Sequence, residues 1–142
     1  MPTGLSSDEA IFTGSVDDEE LLKLYNLCKL FVPLSCNKDF GLSAIEAMAC
    51  GTAVIGGNST GLLEIIGRED MLFDADNETV IAEKLMRVLT DDAFRLELER
   101  HGLKQAKKYS WDGCAARTIT ALEQLNAQNQ KHKAIPLSLI HI

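Results

Sequence analysis

Ser35 to Gly51, SCNKDFGLSAIEAMACG, is the stretch on which the reading of this 142-residue chain turns. A polar turn, Cys36-Asn37-Lys38-Asp39, leads through Phe40-Gly41 into an almost wholly apolar run from Leu42 to Cys50. That run reads as a helix, and Gly51 sits where a helix C-cap belongs. Apolar segments flank it on both sides, Leu30 to Leu34 before and Ala53 to Ile55 after. The order is strand, turn, helix, strand, which in a parallel sheet brings the turn to the carboxyl edge, where ligands bind. Gly41 lets backbone approach a ligand closely, and the N–H groups at a helix start favour an anion. Glu46 is expected inside the first turn of that helix.

The surrounding chain is ordinary in composition: 46% of residues are hydrophobic and 25% charged, enough for one domain with a real core. Cys28, Cys36, Cys50 and Cys114 are scattered without C-x-x-C spacing, which points to reduced thiols in a cytoplasmic protein, with neither disulfide nor zinc. A basic region followed by an apolar stretch is absent from the N-terminus, so no signal peptide is expected. Nor does any uninterrupted apolar run approach bilayer length. The net charge of −7 is uneven, with 14 acids and 4 bases in residues 1–80 against 7 acids and 10 bases in residues 81–142. A negative total argues against nucleic acid as a partner. Arg95, Arg100, Lys104, Lys107 and Lys108 read as a solvated helix face, with contact to anionic lipid or a partner as the alternative.

Taken in order, Ala10 to Thr13 reads as a short strand closed by Gly14. Asp17 and Asp18 cap a helix with Leu21, Leu24, Tyr25 and Cys28 on one buried stripe. Lys29 to Leu34 is a strand ended near Pro33. After the central helix come a strand over Thr52 to Gly56, a small-residue loop from Gly56 to Gly61, and a helix from Leu62 to Ile66 stopped by Gly67. Met71 to Phe73 is a further strand, and Asp74 and Asp76 are turn and cap residues. Asn77 caps a helix over Glu78 to Leu89, whose Val80, Ile81, Leu85, Val88 and Leu89 face inward. Asp91 or Asp92 opens another helix to about Tyr109, and Ser110 caps a last one from Trp111 to roughly Ala127. The class is α/β: a partial doubly wound, Rossmann-like parallel sheet of about four strands with a helical C-terminal tail. A complete domain of this kind has five or six strands, so residues 1–130 read as the back portion of one. Residues 131–142 read as a disordered tail, a docking segment or vector-derived sequence. His132 and His141 lack partners at ligand spacing, and no metal is expected.

Residues 11 to about 125 resemble the C-terminal half of the group 1 glycosyltransferases of the retaining GT-B type. That family carries two glutamates around a loop-to-helix turn of the kind E-G-F-G-L-x-x-x-E-A-M-A-C-G-x-P-V-I, and this chain reads K-D-F-G-L-S-A-I-E-A-M-A-C-G-T-A-V-I from Lys38 to Ile55. Gly61 to Gly67 resembles the family's following loop and helix, and Ser110-Trp111 its frequent S/T-W pair. The resemblance implies that Glu46 holds the ribose hydroxyls of a nucleotide-diphosphate sugar. It implies also that Asp39, Phe40, Gly41 and Leu42 supply backbone donors to the sugar and diphosphate. Lys38 stands where the family has its first glutamate, so no residue here is assigned as catalytic. A lysine cannot accept a hydrogen bond from a sugar hydroxyl; it can pair with a phosphate, or Asp39 can take over the carboxylate's role.

The implied reaction is retaining transfer of a sugar to an acceptor hydroxyl, in glycan or lipid biosynthesis, with no cofactor or metal. The acceptor domain and the front of the donor half are expected to be missing, so this fragment alone should not turn over. A homo-oligomer through an apolar edge near Ile11 and Phe12 is the corresponding partner expectation. The alternative is a non-catalytic module whose donor site has degenerated at Lys38 and which serves in protein interaction. Another doubly wound mononucleotide binder ranks below both, for want of an early acidic cluster at a strand end. Glu46 keeps a second reading too: Ser43-Ala44-Ile45-Glu46 fits a capping box in which the glutamate reaches back to the Ser43 backbone. Glu64 reads as a helix-surface acid.

Overall fold

A computed structural model describes residues 9–34 and 41–133. They divide into two compact units, residues 1–106 and residues 107–142, each treated by itself below. The turn from Cys36 to Phe40 and the tail beyond residue 133 lie outside the described residues.

The first unit runs α1 (Asp18–Leu27), β1 (Leu30–Phe31), α2 (Leu42–Ala49), β2 (Ala53–Val54), β3 (Gly56–Gly57), α3 (Thr60–Ile66), β4 (Leu72–Phe73), α4 (Glu78–Thr90) and α5 (Asp92–Ala106). Among the described residues four strands form, all in parallel pairs. Leu30 stands beside Ala53 and Phe31 beside Val54, whereas Gly56 stands beside Leu72 and Gly57 beside Phe73. The segment 53–57 therefore pairs first with β1 and then with β4, breaking register at Ile55, whose N–H still donates to the Phe31 carbonyl at 3.2 Å.

Local chemistry sets most helix starts. Asp17 Oδ1 accepts the Glu20 N–H at 2.9 Å, Asn77 Oδ1 that of Val80 at 3.2 Å, and Asp91 Oδ1 that of Phe94 at 2.9 Å. Each covers a backbone donor that the helix itself leaves open. Asp74 makes the turn before α4, its carboxylate accepting from the Asp76 N–H at 3.0 Å. Lys84 reaches back from α4 and donates to the carbonyls of Asp70 and Leu72, tying the helix to the start of β4.

The core lies between α2, the strands, α3 and α5. Met48, Val54, Ile55, Ile65, Ile66, Met71, Val88 and Leu98 are fully buried, and each such side chain contributes roughly 1.5–3 kcal/mol relative to exposure. Helices α2 and α5 meet closely at Gly102, where a Cβ would come within 3.0 Å of Met48 Cγ.

Several expectations need correction. Residues 10–13 form no strand, and Ile11 and Phe12 are 81% and 84% exposed, because no strand among the described residues pairs with them. The α1 stripe shrinks to Tyr25: Leu24 and Cys28 are exposed and Leu21 half-buried. Gly56-Gly57 is strand rather than loop, since Ser59, not the glycine run, supplies the helix start, its Oγ accepting from the Leu62 N–H at 3.3 Å. Leu89 turns outward, leaving Val88 as the buried anchor of α4. Helix α5 ends at Ala106, short of Tyr109.

The second unit is built on α6 (Trp111–Lys133), longer than the sequence suggested. Ser110 Oγ accepts the Gly113 N–H at 3.0 Å and opens it as expected. The Thr118 and Thr120 hydroxyls donate back to the carbonyls of Cys114 and Ala116, so these polar residues sit within the helix without competing for its ladder. None of the described helices is long and apolar enough to cross a membrane.

Candidate functional site

Helix α2 opens at Gly41, which is buried and holds φ at +79°, a left-handed conformation that costs other residues roughly 1–2 kcal/mol. Space is equally restrictive. A Cβ at Gly41 would lie 2.9 Å from Ile65 Cδ1 and 3.2 Å from Leu62 Cδ2, so the chain passes directly over α3. The Gly41 carbonyl accepts from the N–H groups of Ala44 and Ile45, which makes Gly41 the N-cap, and no side-chain oxygen caps this end. A helix opened this way presents its first N–H groups to an incoming anion.

With the cap at Gly41, Glu46 falls in the second turn, and the first turn carries no acid. The capping-box reading fails for the same reason, because Ser43 is already inside the helix. Glu46 instead reaches across to α1, where its Oε2 accepts from the Tyr25 hydroxyl at 3.2 Å. The carboxylate is otherwise exposed, and a carboxylate with one such bond keeps acceptor capacity on both oxygens.

The environment of that bond is half apolar. Tyr25 is 6% exposed, and its ring meets Phe31 of β1 edge-on, with centroids 5.3 Å apart and planes at 85°. Burial, then the charge and hydrogen bond of Glu46, then Cys50 and Cys28, push the phenol up to about 12. Burial first, and then Glu46 and Cys28, also raise the Cys50 thiol. Cys28, Cys50 and Cys114 are free, and Cys28 Sγ donates to the Tyr25 carbonyl at 3.5 Å.

Of the residues singled out from the sequence, the structure brings Gly41, Leu42 and Glu46 onto one helix, with Leu42 48% exposed at its start. Lys38, Asp39 and Phe40 lie outside the described residues. Glu64 is exposed on α3, and Arg95 is engaged by Asp92 and by Glu99. Among the described residues no three His, Cys, Asp or Glu side chains gather as a metal site would need. Tyr25 is the residue that sequence reasoning missed in this role. Its helical spacing marked it as core, and nothing local ties it to a glutamate 21 residues away.

Short parallel strands, with β1 running toward a helix opened by a packed glycine, make a partial doubly wound, Rossmann-like fold. The chain belongs to the group 1 glycosyl transferases, whose family model matches residues 5–109. It is 44% identical over 131 residues to the serotype-specific mannosyltransferase WbdA of Escherichia coli, covering 92% of this chain and 16% of that protein. The O-antigen chain mannosyltransferase B of Escherichia coli is 37% identical over 114 residues, 80% of this chain and 30% of its own length. Among solved structures, a sucrose-phosphate synthase from Thermosynechococcus elongatus superposes with a TM-score of 0.75 at 32% identity, over 85% of this chain and 31% of that one. The chain thus spans a small part of the length of the relatives it matches.

Proposed function

We propose that this chain is the nucleotide-sugar-binding portion of a retaining glycosyltransferase, and that the whole protein moves mannose from a nucleotide-diphosphate donor to an acceptor hydroxyl. The observation that carries the reading is the N-terminal half of α2. A left-handed glycine opens the helix without a side-chain cap, and a solvent-facing carboxylate follows in the next turn. Support for mannose comes from two relatives that are named as mannosyltransferases. In this reading Glu46 accepts the ribose hydroxyls. The backbone from Asp39 to Leu42, with the α2 N-terminus, meets the developing charge of the departing diphosphate without a metal. The acceptor domain belongs to another part of the longer protein, and a cytoplasmic location goes with the scattered thiols.

Titration of the full-length protein with GDP and UDP, and with their mannose conjugates, tests it. Glu46→Gln should weaken nucleotide binding about tenfold, the difference between charge-assisted and neutral hydrogen bonds, while leaving thermal stability nearly unchanged. Unaltered nucleotide affinity in that variant would remove Glu46 from the site. Lys38 favours a second reading, a donor site degenerated into a protein-interaction module. Lys38→Glu decides between them: a gain in affinity for the sugar conjugate over the free nucleotide supports a working donor site, and no binding of either by any variant supports the module.

A further inference from the structure

We propose that Tyr25 is a positioning residue for the nucleotide: its hydroxyl holds Glu46 Oε2 so that the carboxylate keeps one orientation and its other oxygen stays available to the ribose. The inference rests on the donor-site reading above and adds a residue to it.

Glu46 is exposed on α2, and a free glutamate side chain there would sample many rotamers, all but one of which a ribose diol must exclude on binding. Tyr25 is fixed at three points. Its ring lies edge-on against Phe31, its body is buried, and the Thr52 hydroxyl donates to its backbone carbonyl in a fully enclosed bond. A donor anchored in this way transfers its rigidity to whatever accepts from it. The phenol also keeps its proton across the whole physiological range, because burial and the neighbouring groups Glu46, Cys50 and Cys28 all oppose its loss. It is therefore a constant donor, unlike a histidine in the same place.

A merely structural Tyr25 predicts equal effects on every nucleotide, whereas a positioning Tyr25 predicts effects confined to ligands that carry the ribose hydroxyls. Calorimetric titration of the full-length protein with GDP and with 2′,3′-dideoxy-GDP separates the two. In the wild-type protein GDP should bind more tightly than the dideoxy compound. Tyr25→Phe, which keeps the ring on Phe31, should weaken GDP about fivefold and leave the dideoxy compound within about twofold. Its effect should be smaller in a Glu46→Gln background than in the wild-type protein, because both changes act through the one contact of residue 46 with the ribose. Phe31→Leu, which loosens the ring but keeps the hydroxyl, should give a smaller loss in the same ribose-dependent sense. It stands in if Tyr25→Phe does not fold. An unchanged preference for GDP in the tyrosine and phenylalanine variants, with Glu46→Gln still weakened, overturns the positioning role alone. Unchanged GDP binding in Glu46→Gln overturns the donor site itself, and the positioning role with it.

Discussion

The two ends of α2 are made from the same residue in nearly the same backbone conformation, and they do different things. Gly41 at the start has φ +79° and Gly51 after the end has φ +80°. At the far end the helix is closed in the Schellman manner. The Gly51 N–H donates to the Met48 carbonyl and the Thr52 N–H to the Ala47 carbonyl, each at 3.0 Å. A Cβ on Gly51 would find only ordinary contact, 3.7 Å from Leu103 Cδ1. At the near end a Cβ would press into Ile65 and Leu62. One glycine satisfies the backbone alone; the other satisfies the backbone and brings the chain against α3. Backbone conformation by itself therefore does not distinguish the two ends, but the surrounding space does.

That contrast is open to direct attack. Gly41→Ala carries both penalties, left-handed strain and crowding, and should cost about 2–3 kcal/mol in urea denaturation while also weakening nucleotide binding in the full-length protein. A stable variant with full affinity would erase the distinction between the ends.

Between the two ends Tyr25 braces the helix, and its titration gives the next largest effect. Folded, the phenol loses its proton near 12; unfolded, near 10.0. The raised value means the contribution is fully present below pH 10 and is lost as pH climbs from 10 to 12, because there the unfolded chain sheds a proton that the folded chain retains. The full contribution is about 2.7 kcal/mol. Wild type should lose stability against Tyr25→Phe over that interval, measured by denaturation at paired pH values, and parallel curves would show that the phenol is not held.

Gly51→Ala comes third, at about 1 kcal/mol of strain with no change in nucleotide affinity. Gly51→Asn should be milder still, about 0.5 kcal/mol, since asparagine tolerates this conformation best among the other residues. Binding lost in either variant would mean that the far end also shapes the site.

How much of this was legible in the sequence follows the range of the interactions involved. Asp17, Asn77 and Ser110 were readable as helix starts because a cap acts within three residues of itself. The strand before Gly41 and the helix and strand after it were readable because apolar runs and glycines mark them. The strand expected at Ala10 to Thr13 failed, since strand preference is a preference for a neighbour, and none pairs with it among the described residues. Glu46 was placed one turn too early because Ser43 is the better cap by residue type. Packing against Leu62 and Ile65 instead fixed the start at Gly41. The bond from Tyr25 joins two helices, and no pattern inside either one encodes it.

Thr52 gives this region a property of a braced frame. Its N–H closes the end of α2, while its buried hydroxyl holds the carbonyl of Tyr25, whose own hydroxyl returns to Glu46 in the middle of α2. The links form a closed triangle: α1 to the body of α2, the body of α2 to its stop, and the stop back to α1. A frame with two such links can shear like a parallelogram, but a triangle deforms only if a member stretches. Helix α1 therefore cannot slide along α2 without breaking one of three hydrogen bonds, and Thr52, at the stop of α2, helps to set the stiffness at Glu46 in its middle.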